Sequence, residues 1–155
     1  MKVHLIAVGE RMPAWVAAGV HEYARRLPPK IRLEMREVRA GRRTKAADIG
    51  RVVRDEGERL LAAVPKGAYL VALDREGRAL STQELASELN AQMDRGGDLA
   101  VVVGGPEGLS RECLDAARAC WSLSRLTLAH PLVRVVVAEQ IYRAWSILDN
   151  LPYHR

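Results

Sequence analysis

The sequence predicts an α/β fold built on a mainly parallel sheet flanked by helices. Three observations carry the prediction. Short apolar runs, Val3–Val8, Tyr69–Leu73 and Leu99–Val103, alternate with longer segments of helical spacing. Those runs are continuous, the pattern of strands buried on both faces. The helical segments carry start and stop signals: prolines, capping residues and paired glycines. The chain has 155 residues, no internal repeat and no linker, so one domain spanning 1–155 is expected.

The elements follow in order. Val3–Val8 is a buried strand that ends at Gly9. Pro13 opens a helix through Leu27, and Pro28-Pro29 stops it. Ile31–Val38 alternates apolar and charged residues, a strand with one charged face. A basic loop, Ala40-Gly-Arg-Arg-Thr44, leads to a helix over Ala46–Val64 that Gly57 weakens mid-way. Tyr69–Leu73 is a strand ending at Asp74, before a turn at Gly77. Ser81 and Glu84 have capping-box spacing, and their helix runs to Arg95, where Gly96-Gly97 ends it. Leu99–Val103 is a buried strand, and Ser110 caps a helix through Ala119. Trp121–Leu128 is a short strand or extended segment. Leu132–Leu148 is helical, and the tail from Asn150 is irregular.

The last helix is apolar on nearly all sides, with only Arg134, Glu139, Gln140 and Arg143 interrupting it. Such a helix must be buried on nearly all sides. A second subunit is the preferred cover, giving a homodimer; a central position in a single domain is the alternative.

Net charge is +5, and it is uneven. Between Arg25 and Arg54 lie eleven Lys and Arg residues against three acids, a local charge of +8. This segment includes Arg25, Arg26, Arg42, Arg43 and Lys45 and is the candidate RNA-contacting surface. Cys113 and Cys120 would stand about 10.5 Å apart on one helix, too far for a disulfide. Free thiols, a start too short for a signal peptide and the lack of any membrane-length apolar run point to a cytoplasmic protein, with no membrane partner.

In an open parallel sheet, ligands bind beyond the carboxyl ends of the strands. Three segments qualify: Leu73-Asp74, the bend Gly104-Gly-Pro-Glu-Gly108, and Leu123–Leu128. The bend is no P-loop, since Leu109 stands where a lysine is needed, and no dinucleotide fingerprint, since Pro106 replaces the second glycine. G-x-S-x-G is absent. His4, His21, His130 and His154 are scattered and the cysteines lack partners at ligand spacing, so no metal site is expected. What remains is chemistry in which a cofactor supplies the reactive group and the backbone of a glycine bend approaches it closely.

Several motifs now stand in order: Val8-Gly9 with Met12-Pro13 and Trp15; Glu22-Tyr23 with Arg25-Arg26; Ala40-Gly-Arg-Arg43; Leu73-Asp74; Gly104-Gly-Pro-Glu-Gly-Leu-Ser110; Leu123-Ser-Arg-Leu-Thr-Leu128; His130-Pro-Leu-Val-Arg134; Glu139–Trp145; and Pro152-Tyr-His-Arg155. In these the chain resembles, along its whole length, the RlmH family of the SPOUT methyltransferases. The resemblance implies a SPOUT-type fold with a carboxyl-terminal trefoil knot, a homodimer, and S-adenosylmethionine as cofactor. It implies N3-methylation of a pseudouridine of 23S ribosomal RNA in the assembled ribosome.

On this reading Leu73, Asp74, Gly104, Gly105, Leu123, Ser124, Arg125, Leu126, Thr127 and Leu128 wall the cofactor, and Glu107 holds the loop or the ligand's polar end. The nucleophilic nitrogen must lose a proton, which calls for a base or a stabiliser of the anion. Candidates are His154, Arg155, Tyr142 and Glu139. Two alternatives stay open: methylation of another RNA, such as transfer RNA, and ribosome binding without catalysis.

Overall fold

The computed structural model describes residues 1–155. Strands and helices alternate: β1 (Lys2–Val8), α1 (Ala14–Ala24), β2 (Arg32–Val38), α2 (Ile49–Ala63), β3 (Tyr69–Ala79), α3 (Thr82–Arg95), β4 (Leu99–Val103), α4 (Arg111–Ala116), β5 (Ala119–Ser122) and α5 (His130–Leu148). A 3₁₀ turn, Pro152–His154, follows. The strands lie in the order β2-β1-β4-β3-β5, and every pairing is parallel.

Burial on both faces explains the continuous apolar runs. Val3, Leu5 and Ala7 of β1 point to one side, with Val71 and Val101, and meet Ala86 and Leu89 of α3 and Val137 and Ile141 of α5. Ile6 and Val8 point to the other side, with Ala72 and Val102, and meet Leu60 of α2 and Cys113 of α4. Alternation along each strand feeds two cores at once. Gly57 has a packing reason: any side chain there would collide with that of Ser110 at the start of α4. The capping box of α3 is present, with Ser81 accepting from the Glu84 amide and Glu84 from the Ser81 amide.

The structure corrects four element boundaries. α2 starts at Ile49 rather than Ala46, because the Asp48 carboxylate caps the Arg51 amide. β3 does not end at Asp74. It continues through an irregularity to Ala79, pairing Arg78 with Trp121 and Ala79 with Ser122 of β5. Gly77 is therefore no turn; it lies where a Cβ would meet the Trp121 backbone at 2.7 Å. α4 stops at Ala116, since β5 begins at Ala119. Only the first part of Trp121–Leu128 is strand, and residues 123–129 have no regular structure.

Candidate functional site

The carboxyl ends of β4 and β5 and the irregular middle of β3 open onto one cavity of about 700 Å³. Leu73 and Asp74, at the irregularity within β3, form one wall, Gly104–Gly108 leave β4 on a second, and Ser122–Ser124 with Leu126–Leu128 follow β5 on a third. Leu114 of α4 and His130 and Val133 of α5 complete the lining, while Arg75 and Glu76 stand on the β3 side. Three segments far apart in sequence thus meet, because neighbouring parallel strands bring them to the same edge of the sheet. Arg125 is not among the lining residues; its neighbour Leu126 is, although 76% exposed.

The bend is made by its glycines. The Gly108 amide donates to the Gly105 carbonyl at 2.9 Å, closing a turn over Pro106 and Glu107. Gly108 has φ +85°, a conformation that costs a side-chain-bearing residue energy. At Gly104 a Cβ would collide with the Gly108 carbonyl and meet the Leu109 nitrogen at 2.8 Å. The third wall is pinned locally: Ser122 Oγ donates to the Ser124 carbonyl at 3.1 Å, and the Leu126 amide donates to Ser124 Oγ at 2.9 Å.

Glu107, itself exposed, pairs with Arg43, whose Nη2 donates to Oε2 at 2.6 Å. The Arg43 guanidinium holds this carboxyl below the usual carboxylate range. Arg43 also donates to Glu56 of α2 at 2.7 Å, and that carboxylate is only 2% exposed. Of the five basic residues expected to face RNA, Arg43 is thus engaged inward. Arg25 and Arg26 both pair with Glu22, and Arg42 and Lys45 are exposed.

A second ionic network lies at the start of α5. Arg134 looks in sequence like a polar interruption, yet it is 1% exposed. Its Nη1 donates to Glu37 at 2.6 Å, and its Nη2 to the carbonyls of Val8 at 2.9 Å and Gly9 at 2.8 Å. One turn earlier His130 sits 2.6 Å from the Val8 carbonyl. Sequence reasoning assigned neither residue a role. The available signal was their i, i+4 spacing, which puts both on one helix face.

Burial lowers the His130 pKa from the ordinary 6.5, the Arg134 charge adds to this, and the Val8 carbonyl opposes it. The unfolded chain therefore takes up this proton first as pH falls. The stability held by neutral His130 is complete above about pH 6.5 and is lost as pH drops through the folded-state value. Urea titrations between pH 7.5 and 5 are expected to show this fall, and His130→Gln to flatten it. An unchanged slope in the variant would remove His130 from the account.

Of the four catalytic candidates, Glu139 and Tyr142 lie further along α5, and His154 and Arg155 stand at the end of the tail that packs against it. The Tyr153 ring lies 4.7 Å from that of Tyr142, and its hydroxyl donates to Glu139 at 3.0 Å. Burial, then the Glu139 contact, pushes the Tyr153 phenol up to about 12, so it stays a donor. Glu139 also accepts from Arg143 at 2.9 Å and from Gln140 at 2.7 Å. Both of its oxygens are thus engaged, one of them with the tail. His154 is half-buried with Nδ1 lacking a partner, and Arg155 is exposed. None of Glu139, Tyr142, His154 and Arg155 lines the cavity. Glu139 lies nine positions beyond His130, roughly 14 Å along the helix. Tyr153 and Arg143, which seat the tail, were not singled out in the sequence.

The structure holds no group of three or more His, Cys, Asp or Glu residues placed to bind a metal ion. No helix is long and apolar enough to cross a membrane.

Comparison with known proteins bears on this arrangement. The family model described as "Predicted SPOUT methyltransferase" matches residues 1–154. A protein of Thioalkalivibrio sulfidiphilus named "Ribosomal RNA large subunit methyltransferase H" is 56% identical over 155 residues, covering 100% of this chain and 99% of its own. One of the same name from Methylococcus capsulatus is 54% identical, with 100% of both chains covered. Among solved structures, a probable methylase family protein from Haemophilus influenzae superposes with a TM-score of 0.55 at 14% identity, over 96% of this chain and 67% of that one. Another, from work on 2-OH methylation of C/U34 on tRNA, gives 0.51 at 20% identity, over 96% and 97%. These two share the fold. A family model spanning nearly the whole chain, relatives more than half identical from end to end, and a ligand-sized cavity at the carboxyl edge of a parallel sheet lead to one conclusion: the chain belongs to the SPOUT methyltransferases, in the RlmH family.

Proposed function

We propose that this enzyme transfers a methyl group from S-adenosylmethionine to N3 of a pseudouridine in 23S ribosomal RNA, within the assembled ribosome. The observation that carries the reading is the cavity between the irregular middle of β3 and the loops after β4 and β5, in a chain whose relatives bear the name of a ribosomal RNA methyltransferase. Its 700 Å³ suits a nucleoside-sized ligand. The lining suits this one: Leu73, Leu123, Leu128 and Val133 for a flat heterocycle, backbone groups of Gly104–Gly108 for its polar edge, and Asp74 and Glu76 for cationic groups.

S-adenosylmethionine supplies an activated methyl group that carries its own leaving group. The chain's main task is then orientation, holding the nucleophile in line. The incoming imide nitrogen must also be deprotonated or its anion stabilised. In the proposed mechanism His154 takes the proton and Arg155 steadies charge on the RNA, while Glu139 and Tyr142 hold the tail that bears them.

The tail and the cavity occupy different parts of one subunit. The proposed homodimer offers a way to unite them: Leu132 on α5 and Trp15 on α1 are exposed apolar residues that a second subunit would cover. Exposed Arg42 and Lys45 are the proposed RNA contacts. Cytoplasmic location and the knotted threading of the chain belong to the same reading.

The test is methyl transfer from radiolabelled S-adenosylmethionine to ribosomes, free 23S RNA and transfer RNA. Ribosomes lacking the large-subunit pseudouridines run alongside. Label is expected only in pseudouridine-bearing ribosomes, with His154→Ala slowing the step by about a hundredfold, the usual worth of a general base. Label in transfer RNA would overturn the substrate. Ribosome binding with neither label nor donor binding would overturn the catalytic reading of this chain.

A further inference from the structure

Two adjacent arginines of the basic loop have opposite surroundings. Arg42 is exposed, whereas Arg43 turns inward and bridges two carboxylates. One is Glu56, buried on α2, which also accepts from the Gly41 amide at 2.9 Å and so ties down the loop backbone. The other is Glu107, which lines the cavity. The bridge presses on the glycine bend as well. A Cβ at Gly105 would meet Glu56 Oε2 at 2.9 Å and Arg43 Nη2 at 3.0 Å.

We propose that Arg43 is a positioning residue for the methyl donor. It fastens the glycine bend, through Glu107 and against Gly105, to a buried carboxylate on α2, so that the basic loop and one cavity wall move as one body. The proposal rests on the reading of this cavity as the donor site. A planar guanidinium suits the task because it reaches two carboxylates with separate N–H groups. Without the bridge, the bend keeps only its internal Gly108-to-Gly105 hydrogen bond, and the donor must order it on binding. Because coupling between sites is reciprocal, RNA engaged by the loop and donor held by the bend strengthen each other.

Binding of S-adenosylmethionine, measured by titration calorimetry, tests this in four chains: wild type, Glu107→Ala, Arg43→Met with Glu56→Gln, and all three changes together. Changing Arg43 and Glu56 together leaves no unpaired buried charge. Glu107→Ala and the double variant are each expected to weaken binding by about tenfold, and the triple variant by no more than either. KM for the donor should rise by the same factor, with kcat at saturating donor nearly unchanged. Unchanged affinities in the variants would overturn the proposal. So would a triple variant weakened by about a hundredfold, since Glu107 would then act on the ligand without Arg43. If the double variant does not fold, Arg43→Lys takes its place: it keeps the charge but loses the two-sided bridge, and the same non-additivity with Glu107→Ala decides. A wild type that binds no S-adenosylmethionine would instead bring down the donor-site reading, an outcome distinct from variants that match a binding wild type.

Discussion

A Gly104→Ala enzyme is expected to keep its sheet and lose methyl-donor affinity by about a hundredfold or more, equivalent to roughly 2.7 kcal/mol or above. The new Cβ would collide with the Gly108 carbonyl and press on the Leu109 nitrogen at 2.8 Å. Both obstacles are backbone, so neither relaxes by a change of rotamer. The bend must open, and with it the cavity wall between β4 and α4. The fold survives because strand pairing does not depend on the bend: Leu99–Val103 is held on both sides by β1 and β3. Overpacking of this kind costs roughly 1–3 kcal/mol of stability. Calorimetric titration and a urea melt of the same protein check both halves. Gly108→Ala is the control: it has φ +85° but nothing within 4 Å of its Cβ, so the strain of that conformation, about 1–2 kcal/mol, is the whole cost expected. Near-normal binding in Gly104→Ala would mean that the bend is no wall of the donor site.

Glu37→Gln is expected to destabilise the protein by about 2–3 kcal/mol, and Arg134→Met by less. The order looks inverted, since Glu37 is 36% exposed and Arg134 only 1%. It follows from where the charge is buried. Glu37 is the one carboxylate paired with Arg134, and removing it strands a guanidinium among carbonyl dipoles in the interior. A buried charge without its partner is costly, about 3–5 kcal/mol when fully enclosed, and the exposure of Glu37 puts this case at or below the lower end. Arg134→Met removes the buried charge itself and leaves Glu37 free to rehydrate. Urea unfolding at neutral pH measures both. A silent Glu37→Gln would show that the Val8 and Gly9 carbonyls suffice to hold Arg134.

Much of the fold was legible in the sequence because burial leaves a local trace. β1 and β4 are continuous apolar runs, since helices cover both sheet faces. The caps at Ser81 and Ser110 are read from a single residue and its near neighbours. The three segments around the cavity were also legible, because each adjoins a recognisable apolar strand run.

The misreadings share one cause. Asp74-Arg75-Glu76-Gly77 is polar and glycine-ended, which reads as a turn, yet β5 supplies ladder partners that carry β3 on to Ala79. Arg134 reads as the polar side of a helix, yet its counter-charge is Glu37, 97 positions earlier. Arg43 reads as a surface cation, yet Glu107 lies 64 positions away and Glu56 is hidden beneath it.

By itself, then, the sequence determined the class of fold, the order of its elements and the segments that line the cavity, all of which follow from periodicity and caps within a few residues. The tertiary structure alone decided which cations face water and which are paired inside. A charge is stabilised by whatever group stands within a few ångströms of it, and chain folding, not sequence proximity, chooses that group.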